Sequence, residues 1–191
     1  MTFEAIVLAA GSGVRFGGGK LTAPYHGVPL LHAALVAARA APVRSVTVVT
    51  GAGADAVSAA ARAFDPAIRI VHAADHAEGM AASLRAGVVT LPVDADAAFL
   101  FLGDMPHVPH GVLDPLAEAI RGGARAAAPV FQGKRGHPVV LSRALFAAVG
   151  ELTGDTGARP LLAGLGARLV LVEAPDDGVL FDVDTPADLR P

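Results

Sequence analysis

The amino-acid sequence predicts an α/β fold in three layers, a doubly wound, mostly parallel sheet with a mixed C-terminal edge, in a single domain over residues 1–191. Three observations predict it. Short apolar runs alternate with alanine-rich helical stretches along most of the chain. The run "AAFLFLGD" is apolar throughout, as in a strand covered on both faces. A glycine-rich segment follows the first strand at once, where open parallel sheets carry their ligand loops.

In order, "FEAIVLAA" reads as a buried strand and "PLLHAALVAARAA" as a helix with Pro29 near its first turn. "SVTVVTG" is a second strand and "DAVSAAARAF" a second helix; "IRIVHA" and "GMAASLRAGVVTL" repeat the pair. The strand "AAFLFLGD" and the helical "HGVLDPLAEAIRGG" follow. Strict alternation implies right-handed crossovers and parallel pairing. The C-terminal third is less regular. "ARAAAPVFQGKRGHPVVLS" reads as two strands joined across a polar glycine turn. Then come the helix "RALFAAVGEL", the loop "TGDTGARPLLAG", the strand "ARLVLVEA" and the closing "VLFDVDTPADLR". There is no linker and no repeat.

Composition narrows the function. The chain is 53% hydrophobic with a mean hydropathy of +0.52, yet alanine carries much of this. The longest apolar stretch, "VPLLHAALVAARAAPV", is broken by His32 and Arg39, and no run reaches the roughly 18 residues of a spanning helix. No basic leader precedes the first apolar patch, so a soluble, cytoplasmic protein without a membrane partner is expected. With no cysteine, thiol catalysis, thiolate zinc sites and disulfide scaffolds are excluded. A net charge of −3 argues against a nucleic-acid partner, and one Tyr with no Trp leaves little for a base-stacking platform.

The motifs converge on an anion. In "LAAGSGVRFGGGK" (residues 8–20), glycines let backbone amides approach phosphate oxygens, while Arg15 and Lys20 add charge. Lys20 is followed by Leu21, so this is not a Walker A loop. A flexible surface loop is the bland alternative; its place after the first buried strand favours phosphate. "VTVVTGAGADA" offers G-x-G-x-x-A, with Asp75 where a ribose-binding acid would fall. That pattern suits either a nicotinamide dinucleotide or a tight turn into a helix.

"FLGDMPHV" places Asp104 just past an apolar strand, as a metal carboxylate facing the phosphate loop or as a turn residue before Pro106. "FDVDTPADL" supplies Asp182 and Asp184, either of which could be a second metal carboxylate. Its helix start is explained by Thr185 as cap, Pro186 and Asp188. His72 and His76 sit at a strand end rather than on a helix, which argues against zinc. His137, beside Lys134 and Arg135, is the better candidate for an anionic substrate, and Arg159 in "GDTGARPLL" could reach a phosphate.

Taken in order, "LAAGSGVRFGGGK", "EGMAASLRAG", "GDMP", "RGHPVV", "GDTGARPLL" and "DVDTPADL" resemble the molybdenum cofactor cytidylyltransferases. These belong to the nucleotide-diphospho-sugar transferase-like nucleotidyltransferases. The resemblance covers nearly the whole chain and implies roles for particular residues. Leu8, Ala9 and Ala10 would lie near the base and Gly11, Ser12 and Gly13 near the phosphates, with Ser83 in the base-reading segment. Arg15 and Lys20 match the triphosphate-binding residues, Asp104 the Mg²⁺ ligand and Asp184 the second acid. Arg135, His137 and Arg159 match the pterin side. Phe16 in place of a frequent methionine, and the added Gly18 and Gly19, are the departures.

The implied reaction moves CMP from CTP to the phosphate of molybdenum-loaded molybdopterin with release of pyrophosphate, Mg²⁺ being the cofactor. A molybdenum hydroxylase is the partner that would receive the product. The alternatives are a guanylyl or sugar-phosphate transferase of the same fold, or a carrier that hands the cofactor on without turnover.

Overall fold

The computed structural model describes residues 1–189, so the last two residues of the predicted domain lie outside the described residues. Strand β1 (Phe3–Ala9) leads through two 3-10 turns to a short hairpin of β2 (Pro24–Tyr25) and β3 (Val28–Pro29). Helix α1 (Leu31–Ala40), β4 (Val46–Thr50), α2 (Ala54–Phe64), β5 (Arg69–His72), α3 (Met80–Val89) and β6 (Ala97–Leu102) continue the predicted alternation. Then come α4 (Leu113–Arg121), β7 (Ala126–Phe131), β8 (Lys134–Arg135), β9 (Val139–Ser142), α5 (Phe146–Gly150), α6 (Arg159–Ala163) and β10 (Leu169–Glu173).

The main sheet runs β10-β7-β9-β6-β1-β4-β5, with β8 paired to β7. β1 lies parallel to β4 and β6, and β4 parallel to β5. The mixed end expected from the C-terminal third is built by β9, antiparallel to both β6 and β7, with β10 returning parallel to β7. Side chains alternate across β1: Phe3, Ala5 and Val7 join one core and Ile6 the other. Leu31, Leu35, Val57, Leu116 and Ile120 of α1, α2 and α4 fill the first core. Leu84, Val149 and Leu162 of α3, α5 and α6 fill the second. This gives three layers.

Local details differ from the sequence reading for identifiable reasons. Pro29 closes the small hairpin rather than opening α1, whose N-cap is Leu30. The predicted loop "TGDTGARPLLAG" contains the short helix α6, in which Pro160 at the start and buried Leu162 favour a turn packed on the second core. Glu4, within a strand read as apolar, is fully buried. It accepts hydrogen bonds from Arg44 Nε (2.7 Å) and Ser45 Oγ (2.5 Å), so a buried charge is matched at the N-terminal end of the sheet. Among the described residues no helix is long and apolar enough to cross a membrane.

Candidate active site

Because β1, β4, β5 and β6 are parallel, their C-terminal ends share one edge, and the loops leaving them form a crevice there. The loop after β1 carries the predicted phosphate segment. Gly11 and Ser12 are exposed, and the amides of Gly11, Ser12 and Gly13 find no acceptor among the described residues. Gly13, at φ 59°, turns the chain so that Phe16 and Gly18 amides donate to its carbonyl. A Cβ there would lie 3.2 Å from Lys20 Cβ, so this position both needs the left-handed conformation and lets Lys20 fold back.

Two ion pairs then cross the crevice. Lys20 Nζ donates to Asp104 Oδ2 at 2.5 Å, both side chains being largely shielded. Arg15 pairs with Asp184 in more open surroundings. The Asp104 carbonyl accepts the Val183 amide at 3.0 Å, which lays the "FDVD" segment alongside "GDMP". Asp182 is consequently raised above the usual carboxylate range, first by burial and then by the charges of Asp104 and Asp184. Thr185 stands just before the closing 3-10 turn, with Pro186 first in it and Asp188 in its first turn, as predicted. Its amide and hydroxyl both donate to Asp188, which also accepts the Asp184 amide and is lowered by these bonds.

These carboxylates suit a hard divalent cation. Among the described residues no three acidic or histidine side chains close on one point, so such a cation would draw its remaining ligands from phosphate oxygens and water. Mg²⁺ is held in that manner, by one or two carboxylates plus substrate phosphates.

The nucleotide-side residues are placed by the sheet. The Leu8 carbonyl accepts the Gly103 amide (2.9 Å) and the Ala10 carbonyl the Ala52 amide (3.2 Å), fixing residues 8–10 between the β6 and β4 loops. Ala9 is buried. The turn after β4 has no room for a pyrophosphate at its first glycine: a Cβ on Gly51 would meet His76 Cγ at 2.6 Å and the Ala10 carbonyl at 2.7 Å. Gly51 therefore serves close packing of the first loop, while Gly53 is open; a tight turn at the first glycine belongs to both readings of that motif. Ser83 is buried one turn into α3. The α3 amides of Met80 and Ala81 donate to Asp155 Oδ1 and the Gly154 carbonyl, both at 3.0 Å, so the "GDTG" loop caps this helix.

On the other flank, the His137 amide donates to the Val179 carbonyl at 2.9 Å and burial lowers the imidazole below its ordinary value. Its Nδ1 is buried without a hydrogen-bond partner among the described residues. Arg135 and Arg159 are exposed, and the charge of each opposes a proton on His137. An apolar cleft of about 540 Å³ between α3 and α5 is separate from Lys20 and Asp104; its cation, Arg85, is tied to Asp75 and the Leu152 carbonyl.

Sequence reasoning passed over Asp155, whose capping role is long-range, and a ring cluster. Tyr25 Oη lies 2.6 Å from His107 Nε2, and His107 stacks on Phe181 with centroids 4.7 Å apart. The presence of a single tyrosine was the signal available.

The chain belongs to the MobA-like NTP transferase domain family, which matches residues 5–171. It is 32% identical over 189 residues to the nicotine blue oxidoreductase of Paenarthrobacter nicotinovorans, covering 94% of this chain and 91% of that protein. It is 26% identical to the molybdenum cofactor cytidylyltransferase of Escherichia coli K12, covering 97% and 92%. To the bifunctional protein GlmU of Cereibacter sphaeroides it is 38% identical over 109 residues, 56% of this chain but only 24% of that longer protein.

Among solved structures, Rv0371c of Mycobacterium tuberculosis H37Rv superposes with a TM-score of 0.85 at 30% identity, covering 98% of this chain and 95% of that one. The same protein solved in complex with manganese gives 0.77 at 29%, covering 98% and 96%. A nucleotidyl transferase from Methanothermobacter thermautotroptrophicus gives 0.82 at 27%, covering 98% and 94%.

Proposed function

We propose that this member of the family transfers CMP from CTP to the terminal phosphate of molybdenum-loaded molybdopterin, releasing pyrophosphate. The observation that carries the reading is the Lys20–Asp104 pair at the mouth of a loop whose Gly11, Ser12 and Gly13 amides have no acceptor among the described residues. In the reaction an oxygen of the acceptor phosphate bonds to the α-phosphorus while the bridging bond to the β-phosphate breaks. Pyrophosphate leaves with that electron pair.

The amides of Gly11, Ser12 and Gly13 bind the phosphates, and Lys20 and Arg15 neutralise charge on the triphosphate. Residues 8–10, held between two neighbouring loops, form a fixed wall for the base. Asp104 with Asp182 or Asp184 would hold Mg²⁺, which when bound supplies charge stabilisation on the phosphate oxygens. That Rv0371c was solved in complex with manganese supports a divalent ion as the cofactor. An acceptor phosphate is largely ionised near neutral pH, so no side chain has to remove a proton. His137, Arg135 and Arg159 receive the acceptor, and a molybdenum hydroxylase would take the product.

A redox reading draws on the name of the Paenarthrobacter relative. The two part in one assay: pyrophosphate release with Mg²⁺ and molybdenum-loaded molybdopterin, offering CTP, GTP, ATP and UTP separately, with Asp104→Ala as control. Release with CTP alone, lost in the variant, is the expected result. Release with GTP alone transfers the reading to a guanylyltransferase. No release with any nucleotide, beside NADH binding that survives Lys20→Met, overturns nucleotidyl transfer in favour of the redox reading.

A further inference from the structure

Aromatic rings are scarce in this chain, which has eight Phe, one Tyr and no Trp. Phe3, Phe99 and Phe101 are spent in the core. Tyr25, His26, His107 and Phe181 instead gather at the rim of the crevice, on three separate segments. The same two segments that meet at Lys20–Asp104 meet again at Tyr25–His107, so the rings sit one step further along the seam that holds the ion pair. The third segment, residues 178–183, joins that seam to the acceptor side. Val183 bonds Asp104, Gly178 packs against the His107 carbonyl, and Val179 accepts the amide of His137.

The rings are held in place at some cost. Tyr25 pairs with Val28 across a two-residue turn in which His26 and Gly27 both have positive φ, 48° and 84°. A histidine in the left-handed region is uncommon there, where Asn or Asp with Gly is preferred. His26 meets Tyr25 edge-on at 4.3 Å, and the Tyr25 hydroxyl grips the edge of the His107 ring. His107 lies flat on Phe181, at an interplanar angle of 16°, while remaining exposed itself. A stack that ends in an exposed, edge-anchored ring is a preformed surface for one more flat ring.

We propose that Tyr25, His107 and Phe181 form the wall on which the planar nitrogen heterocycle of the acceptor stacks, making them specificity-determining residues of the transfer reaction. The inference rests on the reading given under Proposed function. On that reading the donor base takes the opposite side of β1, where the Ala10 carbonyl accepts the Ala52 amide of the β4 loop. Stacking on the β6 side leaves the two rings of donor and acceptor on separate walls, with the phosphates between them at Lys20.

The test uses the full chain and pterin as the probe. Since Tyr25 is the sole tyrosine and there is no tryptophan, its emission reports directly on the wall. Pterin should quench Tyr25 saturably, and His107→Ala and Phe181→Leu should each weaken pterin binding by up to about tenfold, as measured by equilibrium dialysis. CTP affinity should stay unchanged in both, and in turnover the acceptor KM should rise more than kcat falls. His107 is exposed, so its variant retains the fold, and Tyr25→Phe, which keeps the ring, should weaken pterin less. Wild-type pterin affinity in both His107→Ala and Phe181→Leu, or no saturable binding to the wild type, overturns the wall. Pterin binding that depends on both residues without any CMP transfer leaves the wall standing and overturns the reaction. CMP transfer with unchanged acceptor KM in both variants does the reverse.

Discussion

Lys20 Nζ lies 2.5 Å from Asp104 Oδ2, tying the loop after β1 to the loop after β6 across 84 residues of chain. On the proposed reading, the contact holds a phosphate-binding cation against a metal-binding carboxylate. Lys20→Met and Asp104→Asn should each lower kcat/KM by about 10²–10³-fold, the range for removing one electrostatic partner of a transition state. The double variant should fall short of the product of the two effects, because the residues act as a unit. Steady-state pyrophosphate release gives all three values, and full multiplicativity would contradict the coupling.

Arg15 and Asp184 offer the contrasting case. Their side chains are 76% and 40% exposed, so the pair is screened by water. Arg15→Ala should leave the thermal midpoint within the shift expected of about 0.5 kcal/mol while weakening CTP binding several-fold. Calorimetric titration beside a melting curve separates the two, and a large drop in Tm would assign Arg15 a structural role instead.

His137 should impose a pH dependence on stability. Burial lowers its pKa, so the folded chain resists the proton that the unfolded chain accepts near the ordinary value. Above about pH 6.5 both states are neutral and nothing is lost; below it the unfolded chain binds more protons and stability falls with pH. His137→Gln should therefore flatten the decline in Tm between about pH 7 and pH 5.5. An unchanged slope would place the titration elsewhere.

Glu4 should prove a stability residue with no part in turnover. It is fully buried against Arg44 and Ser45 at the sheet's opposite end from Lys20. Glu4→Ala removes the buried acceptor of Arg44 and Ser45, while Arg44 keeps its pair with Asp94, and should cost about 1–3 kcal/mol by denaturant unfolding. At a temperature where the variant is folded, kcat should match the wild type.

Gly51→Ala tests the close approach of two loops. The added methyl would press on His76 and on Ala10, and overpacking of this kind costs about 1–3 kcal/mol. Ala10 belongs to the proposed base wall, so CTP affinity should fall with stability. A variant with wild-type Tm and CTP affinity would show that the loops separate freely.

Much of this protein was legible in one dimension. Alternation of apolar strands with alanine-rich helices implied the parallel sheet, and the sheet alone sends the glycine loop, "GDMP" and the loop after β5 to one edge. That is a consequence of period and polarity, which are local properties. The misreadings have a common cause. Glu4 hid inside an apolar strand because its partners, Arg44 and Ser45, are some forty residues away. Pro29 read as the opening of a helix until it paired with Pro24 across the small hairpin. By itself the sequence determined which elements form, which edge carries the loops and which charged residues face it. The tertiary structure decided which cation meets which carboxylate, that Asp155 caps α3, and that Tyr25, His107 and Phe181 meet. Such pairings depend on distances between segments remote in the chain, and no local pattern encodes them.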